Sequence, residues 1–199
     1  MPKLGMEPIR KAQLMAAAFE CIHEYGFSGT TIARVSEKAG VSVGITSHYF
    51  GSKDGLLEAT MRQLIKQLST REAPEGIDPA DAKARILHII DSNFAQQQVN
   101  PKAIVVWLAF WGHAIHVPSL TRLQRVNKVR LQSNLAYWLR KLLPVGQARF
   151  VAEGLAALID GLWLRGALQA EGIDTARARK LCVDYLELQL SGVEVTDKT

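Results

Sequence analysis

The chain has few cysteines and no long run of apolar residues, and each absence excludes a class of protein. Its two cysteines, Cys21 and Cys182, lie far apart within apolar stretches, which is typical of buried thiols in a reducing compartment and not of a disulfide. No apolar run approaches the roughly 18 residues of a membrane-spanning helix, and Met1–Ile9 lacks the apolar core of a signal peptide. We therefore expect a soluble, cytoplasmic protein without a membrane partner.

Patterns of catalysis and metal binding are also missing. The sequence contains no glycine-rich phosphate loop, no nucleophile elbow and no paired catalytic carboxylates. His113 and His116 are three residues apart on a predicted helix, but no Cys, Asp or Glu lies near them in the sequence to complete a zinc site. We expect a protein that is not an enzyme and that has no metal or cofactor.

The charge is modest and is not concentrated at the N-terminal end of the chain. The net charge is +5, and residues 1–66 hold eight Lys and Arg against six Asp and Glu. Residues 67–150 hold eleven against five, and residues 151–199 hold five against eight. Charge alone therefore does not indicate a nucleic-acid-binding segment, and such a function has to rest on a motif.

Apolar residues recur at helical spacing along almost the whole chain, while strand signals are nearly absent, so the sequence predicts an all-α fold. A breaker stretch with two prolines and a glycine, residues 72–79, separates a smaller N-terminal part from a larger body. The predicted helices are 8–25, 32–39, a short helix after Ser42, 52–71, 79–98, 101–116, 120–143, 147–171 and 175–190.

The most informative stretch is Thr31–Phe50, with the sequence TIARVSEKAGVSVGITSHYF. Thr31 is a good N-cap for one short helix, Gly40 tolerates the positive φ of a helix end, and Ser42 is a good N-cap for a second. The second helix has little apolar surface of its own, which suits a helix that is held by its neighbours and exposes its other face. This is the layout of a DNA-binding helix-turn-helix.

The motifs T-I-A-x-V-S-x-x-A-G-V-S, H-Y-F and S-K-D-G-L-L resemble the N-terminal domain of the TetR-type transcriptional repressors, from about Arg10 to Leu68. The resemblance implies a DNA-binding head at 1–52 with its helix-turn-helix at about 31–50, and a connecting helix and linker at 53–78. It further implies a ligand-binding and dimerisation domain at 79–191 and a flexible tail at 192–199. The connecting helix is then the expected lever between ligand and DNA.

The resemblance assigns base-edge contacts to the start of the second helix of the motif, at Ser42, Val43, Gly44, Ile45 and Ser47. Val43 and Ile45 have no hydrogen-bonding side chain, so they can contact only groups such as a thymine methyl. The family often has tyrosine at the position of Ser47, which leaves base specificity open. The phosphate candidates are Thr31, His48, Tyr49 and Lys53, with Lys3, Arg10 and Lys11 as a possible N-terminal arm. His48 is as well explained as a polar filler between helices.

One such head makes too few contacts for useful specificity, so we expect a homodimer whose two heads lie about 34–36 Å apart on a palindromic double-stranded operator. The last two predicted helices are suited to the interface, because Gly154, Ala157 and Gly161 permit close approach. The alternative is that these helices pack only within one chain. The interface candidates are Leu155, Leu158, Leu162, Leu181, Tyr185 and Leu188.

The body holds all four tryptophans and an acidic residue within an apolar run, LAALIDGLWL. An ionised Asp160 in such surroundings is costly unless it is paired with a cation. Aromatic faces with one carboxylate suit quaternary ammonium ions, which bind through cation–π attraction. Aromatic residues at helical spacing are also common in ordinary cores, which is the alternative. The candidates for a ligand cage are Trp107, Phe110, Trp111, Asp160 and Trp163, with Phe94 and Tyr137 as further walls.

The segments MPKLGMEPIRKAQL, ITSHYFGSKDGLLEATMR, WLAFWGHAIHVPSLTRLQ and GLAALIDGLWLRGAL resemble the branch of this family that represses the choline-to-glycine-betaine pathway. The resemblance implies a repressor of choline uptake and glycine betaine biosynthesis genes, in the context of osmotic stress, with choline as effector. Two alternatives stay open. One is a repressor of an efflux system that senses other lipophilic cations, and the other is a helical binding protein with a vestigial helix-turn-helix.

Overall fold

The computed structural model describes residues 5–68, 76 and 78–192, and within these ranges the chain is helical without a strand. The all-α prediction is confirmed. The described helices are α1 (Met6–Gly29), α2 (Ile32–Lys38), α3 (Val43–Phe50), α4 (Lys53–Gln67), α5 (Ala82–Asn93), α6 (Gln96–Val99), α7 (Pro101–Ala114), α8 (Pro118–Leu139), α9 (Val145–Ala167) and α10 (Thr175–Ser191).

Two predicted helices differ from the structure in an instructive way. Helix α1 is assigned through Gly26, but Gly26 has φ 67° and ψ 176°, so the predicted break is present and a further helical turn follows it. The predicted helix 79–98 begins later, at the N-cap Asp81, and is divided into α5 and α6. Before the division, Ser92 Oγ and Asn93 Nδ2 each donate to a helix carbonyl at 2.8 Å, which is the local competition that polar side chains bring to a helix end.

Predictions at three places lie outside the described residues. They are the end of the predicted helix 52–71, most of the breaker stretch 72–79 and the tail from residue 193 onwards. No single described helix is long and apolar enough to cross a membrane, and the α7–α8 pair reaches the required length only across a bend of 116°.

The chain divides into two compact units. The first unit contains α1–α4, α7 and α8 up to Arg125, and the second contains α5, α6, the rest of α8, α9 and α10. The aromatic helix α7, which the sequence assigned to the body, therefore belongs to the same unit as the helix-turn-helix. In that unit α1 packs on α2, α4 and α7.

The core of the first unit lies between α1 and the motif helices. Its buried side chains are Leu14, Ala17, Ala18, Cys21, Val35 and Leu56, and Ala39, Val41, Tyr49 and Phe50 pack against them. In the second unit α10 packs on α9 and α5. Cys21 and Cys182 are both buried free thiols, as predicted, and burial raises the pKa of Cys182 to about 12.

The junction of α3 and α4 depends on a close backbone approach at Gly55. A Cβ at this position would lie 2.2 Å from the carbonyl oxygen of Phe50, so the backbone would have to move. We expect Gly55→Ala to lower the free energy of unfolding by about 1–3 kcal/mol, as overpacking does elsewhere, in urea denaturation followed by circular dichroism.

Gly112 on α7 is the matched control, because a Cβ there would meet nothing within 4 Å. Since alanine is the better helix former, Gly112→Ala should leave the stability unchanged or raise it by up to about 1 kcal/mol. Equal stability of the Gly55 variant and the native protein would show that α4 can shift away from α3 without cost.

Candidate DNA-binding and effector sites

The helix-turn-helix has the local geometry that its sequence predicts. The side chain of Thr31 accepts a hydrogen bond from Arg34 N at 3.2 Å, and that of Ser42 accepts one from Ile45 N at 3.3 Å, so both residues are N-caps. Gly40 has φ 65°, which a residue with a Cβ adopts only with strain. The turn and both helix starts are thus fixed by residues within the motif itself.

A buried hydroxyl pair joins the two motif helices. Ser36 Oγ and Thr46 Oγ1 lie 2.7 Å apart, and neither residue is more than 1% exposed. A hydroxyl left alone at such a position would lose its hydrogen bond without regaining water. This pair was not predicted from the sequence, although two hydroxyl residues on the facing sides of two short helices were the available signal.

The start of α3 is open to a partner. Ser42, Val43 and Gly44 are exposed, with Val43 at 49%, while Ile45 and Ser47 are half-buried. A Cβ at Gly44 would meet only Ser42 Oγ, at 3.9 Å, so packing within the chain does not require glycine here. The missing side chain instead leaves room for a close approach from outside.

Three of the phosphate candidates, Lys11, His48 and Tyr49, lie near one another on the first unit. His48 is exposed, and its ring lies 5.6 Å from the ring of half-buried Tyr49. Lys11 Nζ lies 5.6 Å from the centre of the Tyr49 ring. Lys53 Nζ donates to the carbonyl of Ser28 at 2.9 Å. Lys11 also forms an ion pair with Glu7 at 2.6 Å. Lys3 lies outside the described residues.

Arg34 is a basic residue that the sequence analysis did not select. It lies in the first turn of α2, three residues after Thr31, and it is exposed. Its guanidinium donates to Gly29 O and lies 4.6 Å from the ring centre of Tyr25. Its position one turn from the N-cap was the signal that could have identified it.

Three of the predicted cage residues form one group on α7. Trp107 and Phe110 are buried and Trp111 is half-buried. The ring of Trp107 lies 6.1 Å from that of Trp111 and 5.8 Å from that of Phe110, the latter edge to face at 70°. These are distances at which aromatic side chains attract one another and present both edges and faces.

The other cage candidates belong to the second unit, where Phe94 and Trp163 are each 6% exposed. Tyr137 is 55% exposed, so it does not line an enclosed cavity of the single chain. Asp160 is classed among the exposed residues of α9 in the single chain. Desolvation nevertheless raises the pKa of Asp160, opposed by the positive charge of Lys128.

Trp138, which was not a cage candidate, makes cation–π contacts with two basic side chains of the protein. The guanidinium of Arg85 lies 5.0 Å from its ring centre and Lys141 Nζ lies 4.3 Å from it. Arg85 is only 4% exposed. Because these cations occupy the ring, the fourth tryptophan is a poor site for a further cation.

The dimer candidates separate into buried and exposed residues. Leu155 is fully buried in the single chain, so its assignment to an interface is wrong, and Leu158 and Leu162 are half-buried. Leu181 and Leu188 are 41% and 67% exposed. Tyr185 is half-buried. A Cβ on Gly154 would lie 2.2 Å from the Tyr185 hydroxyl, so the absence of a side chain at Gly154 leaves room for the tyrosine.

The outer face of α9 and its C-cap hold exposed apolar residues, of which only Ala157 was named from the sequence. Phe150 and Leu168 are 71% and 70% exposed, Leu164 is 39% exposed, and Ala157 is exposed as well. Phe150, Ala157 and Leu164 follow one another at seven-residue spacing, which is the spacing of helices that pack along their length. We call these four residues, together with Leu181 and Leu188 of α10, the outer apolar face.

Comparison with known proteins gives matches to both parts of the chain. The model of the C-terminal part of BetI-type transcriptional repressors matches residues 82–191, and the model of the tetR family of bacterial regulatory proteins matches residues 14–60. The HTH-type transcriptional regulator BetI of Ectopseudomonas mendocina is 51% identical over 193 residues, which cover 96% of this chain and 98% of that protein.

Two solved structures have a similar fold. A transcriptional regulator from Saccharomonospora viridis in complex with choline has a TM-score of 0.72 at 22% identity, covering 89% of this chain and 95% of that one. The multidrug binding protein EbrR in complex with malachite green has a TM-score of 0.68 at 19% identity, covering 88% and 97%. At these identities the two structures show a common fold and no more.

Proposed function

Because the chain belongs to the tetR family of bacterial regulatory proteins, as a BetI-type transcriptional repressor, we propose that it represses the genes of choline uptake and glycine betaine synthesis. Two chains form a homodimer that binds a palindromic operator in the cytoplasm. Choline bound by the protein modulates this repression. The protein is a DNA-binding regulator and not an enzyme.

The observation that carries the DNA-binding part is the open start of α3 on a fixed scaffold. The N-cap residue Ser42 accepts a hydrogen bond from Ile45 N, and the buried hydroxyl pair joins α3 to α2. Ser42, Val43 and Gly44 remain exposed. A recognition helix contacts base edges with its N-terminal residues, whereas side chains such as Tyr49 and Lys53 hold the backbone. Two copies of this arrangement read the two half-sites of an operator.

Two features support the effector part, each considered within its own unit: the aromatic group of α7 and the carboxyl group of Asp160. Trp107, Phe110 and Trp111 offer aromatic edges and faces to a cation that cannot donate hydrogen bonds from its ammonium group. Desolvation disfavours the ionised form of Asp160 although the charge of Lys128 opposes it, so an incoming cation gains from this carboxylate. A relative of the same fold binds choline, which agrees with this assignment.

Choline can change repression only through a difference in its affinity for two states of the protein. The DNA-bound state and the choline-preferring state then differ in the placement of the two heads. The connecting helix α4 begins at Lys53, a phosphate candidate, so any movement of α4 also moves this side chain.

The proposal is tested by fluorescence anisotropy with labelled duplex from the region upstream of the chain's own gene. We expect saturable binding that a scrambled duplex does not compete for, and a weaker affinity when choline is present. Malachite green serves as the rival ligand, because an efflux regulator would respond to the dye and not to choline. Absence of sequence-specific binding would leave the vestigial alternative.

Lys53 allows a quantitative prediction for the same assay. Each neutralised phosphate contributes a slope of about −0.9 to the dependence of log affinity on log salt concentration, so Lys53→Ala in both heads of a dimer should make the slope shallower by about 1.8. Lys66 lies on the same helix, and Lys66→Ala is the control that should leave the slope unchanged. An unaltered slope for the Lys53 variant would remove this residue from the phosphate contacts.

A further inference from the structure

We propose that His113 of α7 is a positioning residue for Lys53, so that α7 acts on DNA binding through the end of α1; this inference rests on the function proposed above. The sequence points to α4 as the lever between ligand and DNA. The contacts within the first unit supply a second connection, which starts on the helix that carries the aromatic effector candidates.

The first step of this connection is a ring stack. The imidazole of His113 lies 4.8 Å from the ring of Phe27 with an angle of 22° between the planes, and Phe27 is only 2% exposed. His113 Nδ1 lies 3.1 Å from Ala109 O, which can only accept, so Nδ1 carries the hydrogen. In the neutral ring Nε2 is then an acceptor, and Ser28 Oγ lies 3.4 Å from it.

The second step is the short segment that follows the break at Gly26. Both N and Oγ1 of Thr30 donate to Gly26 O, at 3.1 and 2.7 Å, which closes residues 26–30 into a compact turn. Phe27 and Ser28 are adjacent in this turn. The side chain of His113 therefore contacts the same segment whose Ser28 carbonyl accepts the hydrogen bond from Lys53 Nζ at 2.9 Å.

The third step concerns the ammonium group of Lys53. A lysine ammonium has three donors and a flexible stem. One donor bonded to Ser28 O leaves two for a phosphate oxygen, and the bond restricts the positions that the stem can occupy. If the turn at 26–30 shifts, the carbonyl that holds Lys53 shifts with it, and the ammonium loses its preset position.

Helix α7 is well placed to shift that turn. It packs on α1 and is tied to it a second time by the ion pair of Lys102 with Glu20, at 2.7 Å. Trp107 and Phe110 lie six and three residues before His113 on the same helix. A ligand that rearranges these rings moves the His113 end of α7, and the stack transmits the movement to the turn.

The test compares operator affinity and its salt slope in a double-mutant cycle of His113→Ala and Lys53→Ala. We expect His113→Ala to weaken binding about tenfold, with a slope close to that of Lys53→Ala, and the double variant to be no weaker than Lys53→Ala alone. His113→Phe keeps a ring against Phe27 and should retain the native slope. His116→Ala is the control, since His116 is exposed and three residues away.

Phe27→Leu removes the other ring of the stack and provides an independent measurement if His113→Ala does not fold, as judged by circular dichroism. It should flatten the slope in the same way and should also reduce the effect of choline on operator affinity. Additive effects of the His113 and Lys53 substitutions, or a native slope in the folded Phe27 variant, would overturn the inference. Failure of the native protein to bind its upstream duplex would instead remove the proposed function.

Discussion

On the proposed homodimer, Leu188→Asp should separate the two chains and weaken operator binding by about 100-fold or more, because the advantage of linked half-sites is lost. Leu188 is 67% exposed in the single chain and belongs to the outer apolar face. A carboxylate there costs little in the monomer, where water reaches it. In a packed interface it would have to be desolvated without a partner, which is strongly unfavourable.

The oligomeric state is measured by light scattering after size exclusion, and the affinity by anisotropy on the full operator. Val126→Asp is the matched control, since Val126 is 57% exposed on α8 and outside the outer apolar face. It should remain dimeric with native affinity. A dimeric Leu188 variant would show that the two chains associate through another surface, and a monomeric Val126 variant would place α8 in the interface.

Leu181 and Leu188 of the outer apolar face were selected from the sequence, but the large exposed residues of α9 were not. Leucine, isoleucine and alanine lie almost all around this helix, so its periodicity does not separate the side that packs within the chain from the side that faces outward. The structure buries Leu155, Ile159 and Trp163 and exposes Leu164. The packing of α9 against other helices, among them α10, decides between the two sides.

The helix-turn-helix, in contrast, could be predicted because its determinants are local. Thr31 and Ser42 cap the helices that directly follow them, and Gly40 supplies the positive φ of the turn between them. No tertiary contact is needed to infer either feature. The hydroxyl pair of Ser36 and Thr46 was missed because it requires the packing of α2 on α3.

The packing of α7 with the motif helices could not be predicted from the sequence either, because it also depends on tertiary contacts. The contacts of His113 with Phe27 and of Lys102 with Glu20 join residues more than 80 positions apart. Composition correctly identified α7 as the aromatic helix, but it could not indicate which helix it packs on. The location of the aromatic group within the first unit is what makes a direct effect on Lys53 a testable idea.

Asp160→Asn should abolish choline binding in isothermal titration while operator binding stays native, which is the second large effect that we expect. Desolvation raises the pKa of the Asp160 carboxyl, so the ionised form is disfavoured in the folded protein. Above its ordinary pKa this carboxylate therefore opposes folding, and the cost disappears as the pH falls and the group is protonated. Asparagine removes the cost, so the choline-free variant should melt at the native temperature or slightly above it.

The same argument gives the pH dependence of the effector response. In the proposed site choline binds the ionised carboxylate of Asp160. The raised pKa means that protonation begins to compete at a higher pH than for an ordinary aspartate. Choline affinity should thus decline as the pH is lowered towards the raised pKa in the native protein.

Glu153 is an exposed carboxylate two turns before Asp160 on α9, and Glu153→Gln is the control for the Asp160 variant. The Glu153 variant should bind choline normally. Native choline affinity in the Asp160 variant would remove this carboxylate from the residues that bind choline. Loss of the dimer together with choline binding would instead assign Asp160 to the margin of the outer apolar face.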